Sequence, residues 1–393
     1  MRRSRLGGVA LGALAALALA ACTDDTTGSG PRSDAEQAPA AAAGGPLDLS
    51  EVCPANVVFQ TDWFAESEYG FLYQMIGPDY TIDTAKKRIV GSLVSHGQDT
   101  GVDVEVRYGG PAIGYEQVSA QMYVDESITM GLVSTDEAIQ NSKDQPTLGV
   151  FAPFEVSPLM IMWDKAAHPE FRTLMDVGQT DTTVLYYETD TYMQYLLGAG
   201  ILRQGQVDGS YQGGPDRWVA EEGKIAQAGF ATSEPYIYAN ELDGVSYDVD
   251  FQLINDTGYP VYSQTLSIRA GEKEELAPCL KKLVPIIQQA QVDFMTDPSR
   301  TNALVIEAVK ADDESVWNYS EGMAEYAVKT MRERGLVDNG SNGTIGDMEE
   351  SRVQRMIDIL TPIFAGQDKE IKEGLKPSDL ITNEFIDPSI GLQ

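Results

Sequence analysis

Short β-branched runs alternating with amphipathic stretches predict an α/β protein, because strands of that kind need helices to cover the faces of their sheet. A second α/β unit starts near residue 182, and the chain then returns to elements that complete the first. Two domains joined by two crossover hinge strands, with an interdomain cleft, are therefore expected. Length agrees, since residues 51–393 are enough for two separate cores.

The elements follow in order. Asn56-Val57-Val58-Phe59-Gln60-Thr61 is a β-branched and aromatic run and reads as the first strand, with a helix over 66–75 after it. Residues 102–107 alternate Val102, Val104 and Val106 with charged residues, the period of a half-buried strand, and stop at Gly109-Gly110-Pro111. A helix over 115–124 and a strand over 128–133 come next. Residues 147–154 and 159–163 suggest one long strand crossing into the other domain. The second unit opens with Thr182-Thr183-Val184-Leu185-Tyr186-Tyr187, followed by helices over 191–197 and 218–225 and a strand over 227–232. Runs at 250–254 and 259–268 lead back, and four helices close the chain over 276–293, 300–311, 321–334 and 348–364. The expected division is 51–153 plus 264–393 for the first domain and 154–263 for the second.

The N-terminus carries a different signal. Arg2, Arg3 and Arg5 precede an apolar run from 9 to 21 that is too short to span a bilayer, and the run ends in Leu19-Ala20-Ala21-Cys22. This resembles a bacterial lipobox. It implies a signal peptide over 1–21, an acylated Cys22, and a protein lipid-anchored to the outer face of the cell membrane. An ordinary cleaved signal with an incidental cysteine is the alternative. Residues 22–50 are mostly Asp, Thr, Gly, Ser, Pro and Ala, so they read as a disordered tether, about 30 Å r.m.s. as a flexible coil.

Composition narrows the partners. At 42% hydrophobic and 22% charged the chain is ordinary for a globular protein, but its net charge of −32 falls to −35 once Arg2, Arg3 and Arg5 are removed. That argues against nucleic acid and against anionic lipid surfaces. With Cys22 acylated, Cys53 and Cys279 remain as a pair in an oxidising compartment, and a disulfide between them is expected, two separate buried thiols being the alternative. Two histidines, His96 and His168, and no Cys/His cluster argue against a metal site.

The strongest local motif is Thr61-Asp62-Trp63-Phe64-Ala65-Glu66-Ser67-Glu68-Tyr69-Gly70-Phe71-Leu72-Tyr73. It resembles the first strand and helix of periplasmic binding proteins for thiamine-pyrimidine precursors, nitrate, sulfonates and taurine. Gly109-Gly110-Pro111, Ser134-Thr135-Asp136-Glu137, the helix start near Tyr192 and Ser233-Glu234-Pro235-Tyr236 fall in that family's order, over residues 57–364. The resemblance implies a periplasmic-binding-protein-like fold of type II and a monomeric, cofactor-free binding protein. Such a protein would deliver a small molecule to an ABC permease in the membrane and perform no chemistry of its own.

On this reading Trp63, Tyr69, Tyr187 and Tyr192 are candidate stacking partners, each of which would serve equally as a core aromatic. Gly109 and Gly110 would let backbone N–H groups approach a ligand, or would form a plain turn. Asp62, Glu66, Thr135, Glu155 and Glu234 complete the candidate set. No Lys or Arg lies within these motifs, whereas a nitrate or sulfonate site would recruit one. Carboxylates beside aromatic rings suit a flat ligand with amino donors, such as a thiamine-pyrimidine precursor.

Three other readings stand beside this one. The first is a sulfonate- or nitrate-type binding protein of the same fold, and the second a sensor with the same architecture. The third is an enzyme of thiamine-pyrimidine synthesis, whose relatives use a pyridoxal cofactor, a histidine and a cysteine-rich iron-binding segment. The export signal and the two body cysteines count against the enzyme, and no Gly-x-Ser-x-Gly elbow suggests a hydrolase.

Overall fold

A computed structural model describes residues 37–312 and 317–393. The signal segment, Cys22 and the first part of the tether lie outside the described residues. Six strands open the first lobe: β1 (Asn56–Gln60), β2 (Thr81–Asp83), β3 (Arg88–Ser95), β4 (Gln98–Arg107), β5 (Met130–Val133) and β6 (Thr147–Phe151). The second lobe holds β7 (Leu159–Asp164), β8 (Val184–Leu185), β9 (Val207–Asp208), β10 (Ala226–Phe230) and β11 (Val249–Leu253). Then β12 (Thr265–Arg269) returns to the first sheet, giving the order β2-β3-β4-β1-β5-β12-β6, with β11-β7-β10-β8-β9 as the other.

The parallel centre of the first sheet explains its sequence. β1 pairs in parallel with both β4 and β5. It is covered on both faces, and Val57-Val58-Phe59-Gln60 is buried throughout. β4 keeps the alternation of Val102, Val104 and Val106, and its inward Glu105 is held by Arg88 at 2.9 Å and Arg107 at 2.6 Å. The hairpin of β2 and β3 on the outer edge is not anticipated by the sequence reading.

Two expectations need correction. The long strand proposed over 147–163 is two strands in different sheets, because Pro153 and Pro158 interrupt it and neither offers a ladder N–H. The chain crosses there, over residues 152–158, and returns over residues 254–264. The tether is also shorter than expected. β4 extends past the end of β1, and residues 39–41 complete its open backbone: the Asp99 N–H donates to the Pro39 carbonyl at 2.9 Å and the Ala41 N–H to the Asp99 carbonyl at 2.7 Å. Leu49 is fully buried, and Lys282 Nζ donates to the carbonyls of Gly45 and Asp48. Cys53 and Cys279 are bonded, with Cα atoms 4.6 Å apart, which ties this entry segment to the long helix Lys273–Thr296.

The first helix is short, a 3₁₀ turn Ser67–Tyr69 running into Gly70–Gln74. It sits directly on Lys273–Thr296, so close that a Cβ at Gly70 would lie 2.3 Å from the Phe294 ring. The C-terminal helix Glu350–Gly366 packs behind the crossovers, against Thr135–Gln140 of the first lobe and Tyr192–Gly198 of the second. Among the described residues, no helix is long and apolar enough to cross a membrane.

Candidate ligand-binding cleft

The C-terminal ends of β1, β5, β8 and β10 face one another across the two lobes, where open α/β sheets place their ligands. Between them lies a cavity of about 210 Å³. Asp62 and Trp63 enter it from β1, Ser134 and Asp136 from β5, Tyr187 and Asp190 from β8, and Ser233 and Glu234 from β10. Ser263 and Gln264 come from the returning link, just ahead of β12.

Trp63 is the centre of its aromatic wall. Tyr187 from the second lobe meets it edge-on at 5.6 Å, Tyr115 lies at 6.0 Å and Trp317 at 6.1 Å between ring centroids. Two glycines make room for the indole. Gly110 has φ +56° and a Cβ there would come within 2.9 Å of the ring; Gly213, from the second lobe, has φ +87° and would meet both Trp63 and the Tyr187 hydroxyl.

Acidic side chains make up much of the remaining lining. Glu66 and Asp136 are buried, while Asp62, Glu137, Asp190 and Glu234 are half-buried and open toward the cavity. No lysine, arginine or histidine lines it among the described residues. The carboxylates are positioned by neutral donors instead. The Tyr69 hydroxyl donates to Asp62 at 2.8 Å, Tyr259 to Asp136 at 2.8 Å, and Tyr192 to Asp190 at 2.8 Å. The Ser119 N–H donates to Glu137 at 2.8 Å and the Phe230 N–H to Glu234 at 2.7 Å. Gly229 permits the last contact, since a Cβ there would collide with the Glu234 carboxyl.

Without a counter-cation, desolvation governs these groups. Burial pushes Glu137, Asp190 and Glu234 up to about 7 and raises Asp62 and Asp136 as well. Glu66 rises well above the usual carboxylate range, first through burial and then through repulsion from Glu68, Asp62 and Glu234. Beneath it, Glu68 is raised by burial while accepting a hydrogen bond from Ser233 Oγ at 3.0 Å, a contact between lobes. Among the described residues no group of three or more His, Cys, Asp or Glu side chains is arranged to hold a metal ion.

Of the residues singled out from sequence, Asp62, Trp63, Glu66, Tyr69, Gly110, Tyr187, Tyr192 and Glu234 line this cavity. Three do not. Gly109 is pressed against the backbone of Thr61 and Asp62 and donates to the Trp63 carbonyl, so its N–H is spent inside the protein. Thr135 faces the returning link, where its N–H donates to the Tyr262 carbonyl and its hydroxyl accepts from the Tyr262 N–H. Glu155 lies on the outgoing link, 3.7 Å from Arg352. Gln264, Asp190, Ser263 and Gly213 were missed. The only sequence sign for Asp190 is its place just ahead of the helix Tyr192–Gly198, and nothing in the sequence marks Gln264.

No model of a known protein family matches the chain, and no curated protein does. Solved structures match its fold. The periplasmic aliphatic sulphonate-binding protein of Escherichia coli is 12% identical with a TM-score of 0.51, over 82% of this chain and 94% of that one. The zinc-bound ligand-binding component of an ABC-type import system from Staphylococcus aureus is 10% identical at 0.51, over 85% and 100%. A protein from Bordetella bronchiseptica is 13% identical at 0.51, over 84% and 96%. The chain has the periplasmic-binding-protein fold.

Proposed function

We propose that the protein is the extracytoplasmic solute-binding component of an ABC importer, closing its two lobes around a small flat ligand with amino donors. The observation that carries this reading is the cavity itself: an indole wall and a lining rich in carboxylates, with no basic side chain among the described lining residues. Rings supply area and π-faces, and carboxylates accept hydrogen bonds once ionised, so the complementary ligand is an aromatic ring bearing N–H groups that would draw these carboxyls into their ionised form. A thiamine-pyrimidine precursor is the ligand we favour, and 210 Å³ is space for one such ring with its substituents. In this role the protein is a monomer with no chemistry of its own. It is carried by a lipid on Cys22 and presents its ligand to a membrane permease.

A thermal-shift screen of the mature chain with Cys22→Ser tests the reading. The panel holds aminopyrimidine thiamine precursors, thiamine, riboflavin, taurine, alkylsulfonates and nitrate. A true ligand at a thousand times its Kd adds about 4 kcal/mol, several degrees in Tm for a body of this size. Aminopyrimidines alone should shift it. A shift with sulfonate or nitrate alone would refute the choice of ligand while keeping the solute-binding role, and no shift with any compound would remove the grounds for naming one.

A further inference from the structure

The cavity receives carboxylates from both lobes. Glu66 and Asp136 of the first lobe and Asp190 and Glu234 of the second line one cavity, and their charges act on one another across it, Glu234 on Glu66 and Asp136 on Asp190. Asp62 lines the same cavity and acts on Glu66 and on Asp190 alike. Closing the lobes on an empty cavity therefore either brings like charges together or forces protons onto these carboxyls, and either costs free energy. The neutral hydroxyls and amides that orient these groups do not cancel that repulsion.

A second observation, independent of the charges, points to a donor-bearing ligand. Gln264 spends its amide nitrogen on both oxygens of Asp62, at 3.2 Å each, and this fixes which end of the amide accepts. Its Oε1 is left without a partner although the residue is only 2% exposed and lines the cavity. Ser263 Oγ beside it is in the same condition. A buried acceptor without a donor costs free energy unless something supplies one. Gln264 is moreover held at φ +55°, a strained conformation for a side chain of this kind and one that concentrates at functional sites.

We propose that the ligand is a cation with two amino or ammonium poles on a ring, one pole held between Glu66 and Glu234 and the other between Asp136 and Asp190, and that its charge permits the lobes to close. The proposal rests on the solute-binding reading above and adds the charge and its distribution. The ring lies against Trp63, and an N–H near the centre supplies the donor that Gln264 Oε1 lacks.

Three probes of one ring size and increasing charge test it on the mature chain with Cys22→Ser: benzyl alcohol, benzylamine and p-xylylenediamine, titrated by calorimetry at pH 8. Each added ammonium should tighten binding about tenfold or more, the scale of one charge-assisted hydrogen bond. Glu66→Gln and Asp190→Asn should each bring the diamine back toward the affinity of benzylamine, with a much smaller effect on benzyl alcohol. Equal affinity for all three probes, or a diamine preference that survives both substitutions, would overturn the proposal.

A ligand-free measurement keeps it exposed if none of the probes binds. The double variant Glu66→Gln/Asp190→Asn should show a smaller radius of gyration in solution scattering at pH 8 than the parent, and a Tm higher by several degrees. No change in either overturns the charge argument, and the aminopyrimidine screen then stands or falls separately. Saturable binding of taurine or nitrate would sink the charge argument and the choice of ligand together.

Discussion

At the back of the molecule Glu155 lies 3.7 Å from Arg352, whose guanidinium also donates to the carbonyls of Glu155, Pro260 and Val261 at 2.6–2.8 Å and covers the Tyr262 ring. At the front, Glu66, Asp136, Asp190 and Glu234 are as acidic and as enclosed, yet only hydroxyls and backbone amides meet them. One arginine thus ties both crossing segments together, the outgoing one at Glu155 and the returning one at 260–261. The cleft between the lobes has no such internal cation among the described residues. Burial pushes Glu155 up, and Arg352 pulls it back; in the cleft nothing of that kind opposes the rise. The contrast separates a part of the molecule whose buried charge is paired internally from a part whose buried carboxyls meet only neutral donors.

Removing the hinge cation should have the largest effect. Arg352→Ala leaves three carbonyls without a donor and Glu155 without its counter-charge, so a loss of about 3–5 kcal/mol is expected in denaturant unfolding. If the loss is under 1 kcal/mol, the hinge is not held in the way described. Trp63→Ala in the cleft should do the reverse. The side chain is half-buried against Tyr187 and Tyr115, and its loss should weaken a stacked ligand by about 2 kcal/mol or more, roughly thirtyfold in Kd, with a smaller change in folding stability. A calorimetric titration of whichever compound shifts the parent measures the first, and a melt of the free protein the second.

The pH dependence of the free protein sharpens the contrast further. Glu137, Asp190 and Glu234 are raised to about 7, so between about pH 4 and 7 the folded protein holds protons that the unfolded chain has released. Their contribution is fully present below the unfolded carboxylate pKa and is lost as pH rises through 7. Stability should therefore fall by several kcal/mol between pH 5 and 8. Glu105, held down by Arg107 and Arg88 against the desolvation of its site, works in the opposite sense and only in more acid solution. A bound cation should flatten the slope across pH 5–8. A Tm that is level across that range in the free protein would count against the cleft carboxylates as its source.

How far the sequence reveals each region follows from the reach of its contacts. Trp63 is legible because a strand and its exit turn are local, and an aromatic at the C-terminal end of a first strand has one cleft to face. The Asp62–Gln264 contact spans 202 positions, and the Glu155–Arg352 contact spans 197. Neither partner carries a local sign of the other. Gln264 owes its role to a left-handed backbone conformation and to the place where the returning link delivers it. Residues 37–50 read as a tether because their composition is poor in apolar groups. It took the unpaired end of β4 and the position of Lys282 to dock them. Composition describes what a segment could bury alone, and these residues bury themselves against something already built.

Glu155 is where that limit was misleading, and it offers the finest test. Its sequence context, an acidic residue at the start of the crossover, suits a cleft ligand as well as a hinge contact. The structure gives Arg352 two reasons to stay if the charge at 155 is removed: the guanidinium bonds to three carbonyls that the substitution does not touch, and it lies 3.6 Å from the Tyr262 ring centroid. The ion pair itself is long at 3.7 Å and partly open to solvent, a geometry worth no more than about 1 kcal/mol. Glu155→Gln should therefore cost less than 1 kcal/mol in unfolding and leave ligand affinity unchanged within about twofold, while Glu66→Gln changes affinity by about tenfold. If Glu155→Gln instead weakens binding as much as Glu66→Gln does, the residue reaches the ligand in the closed state, and the division between an internally paired hinge and a cleft with only neutral donors has been drawn in the wrong place.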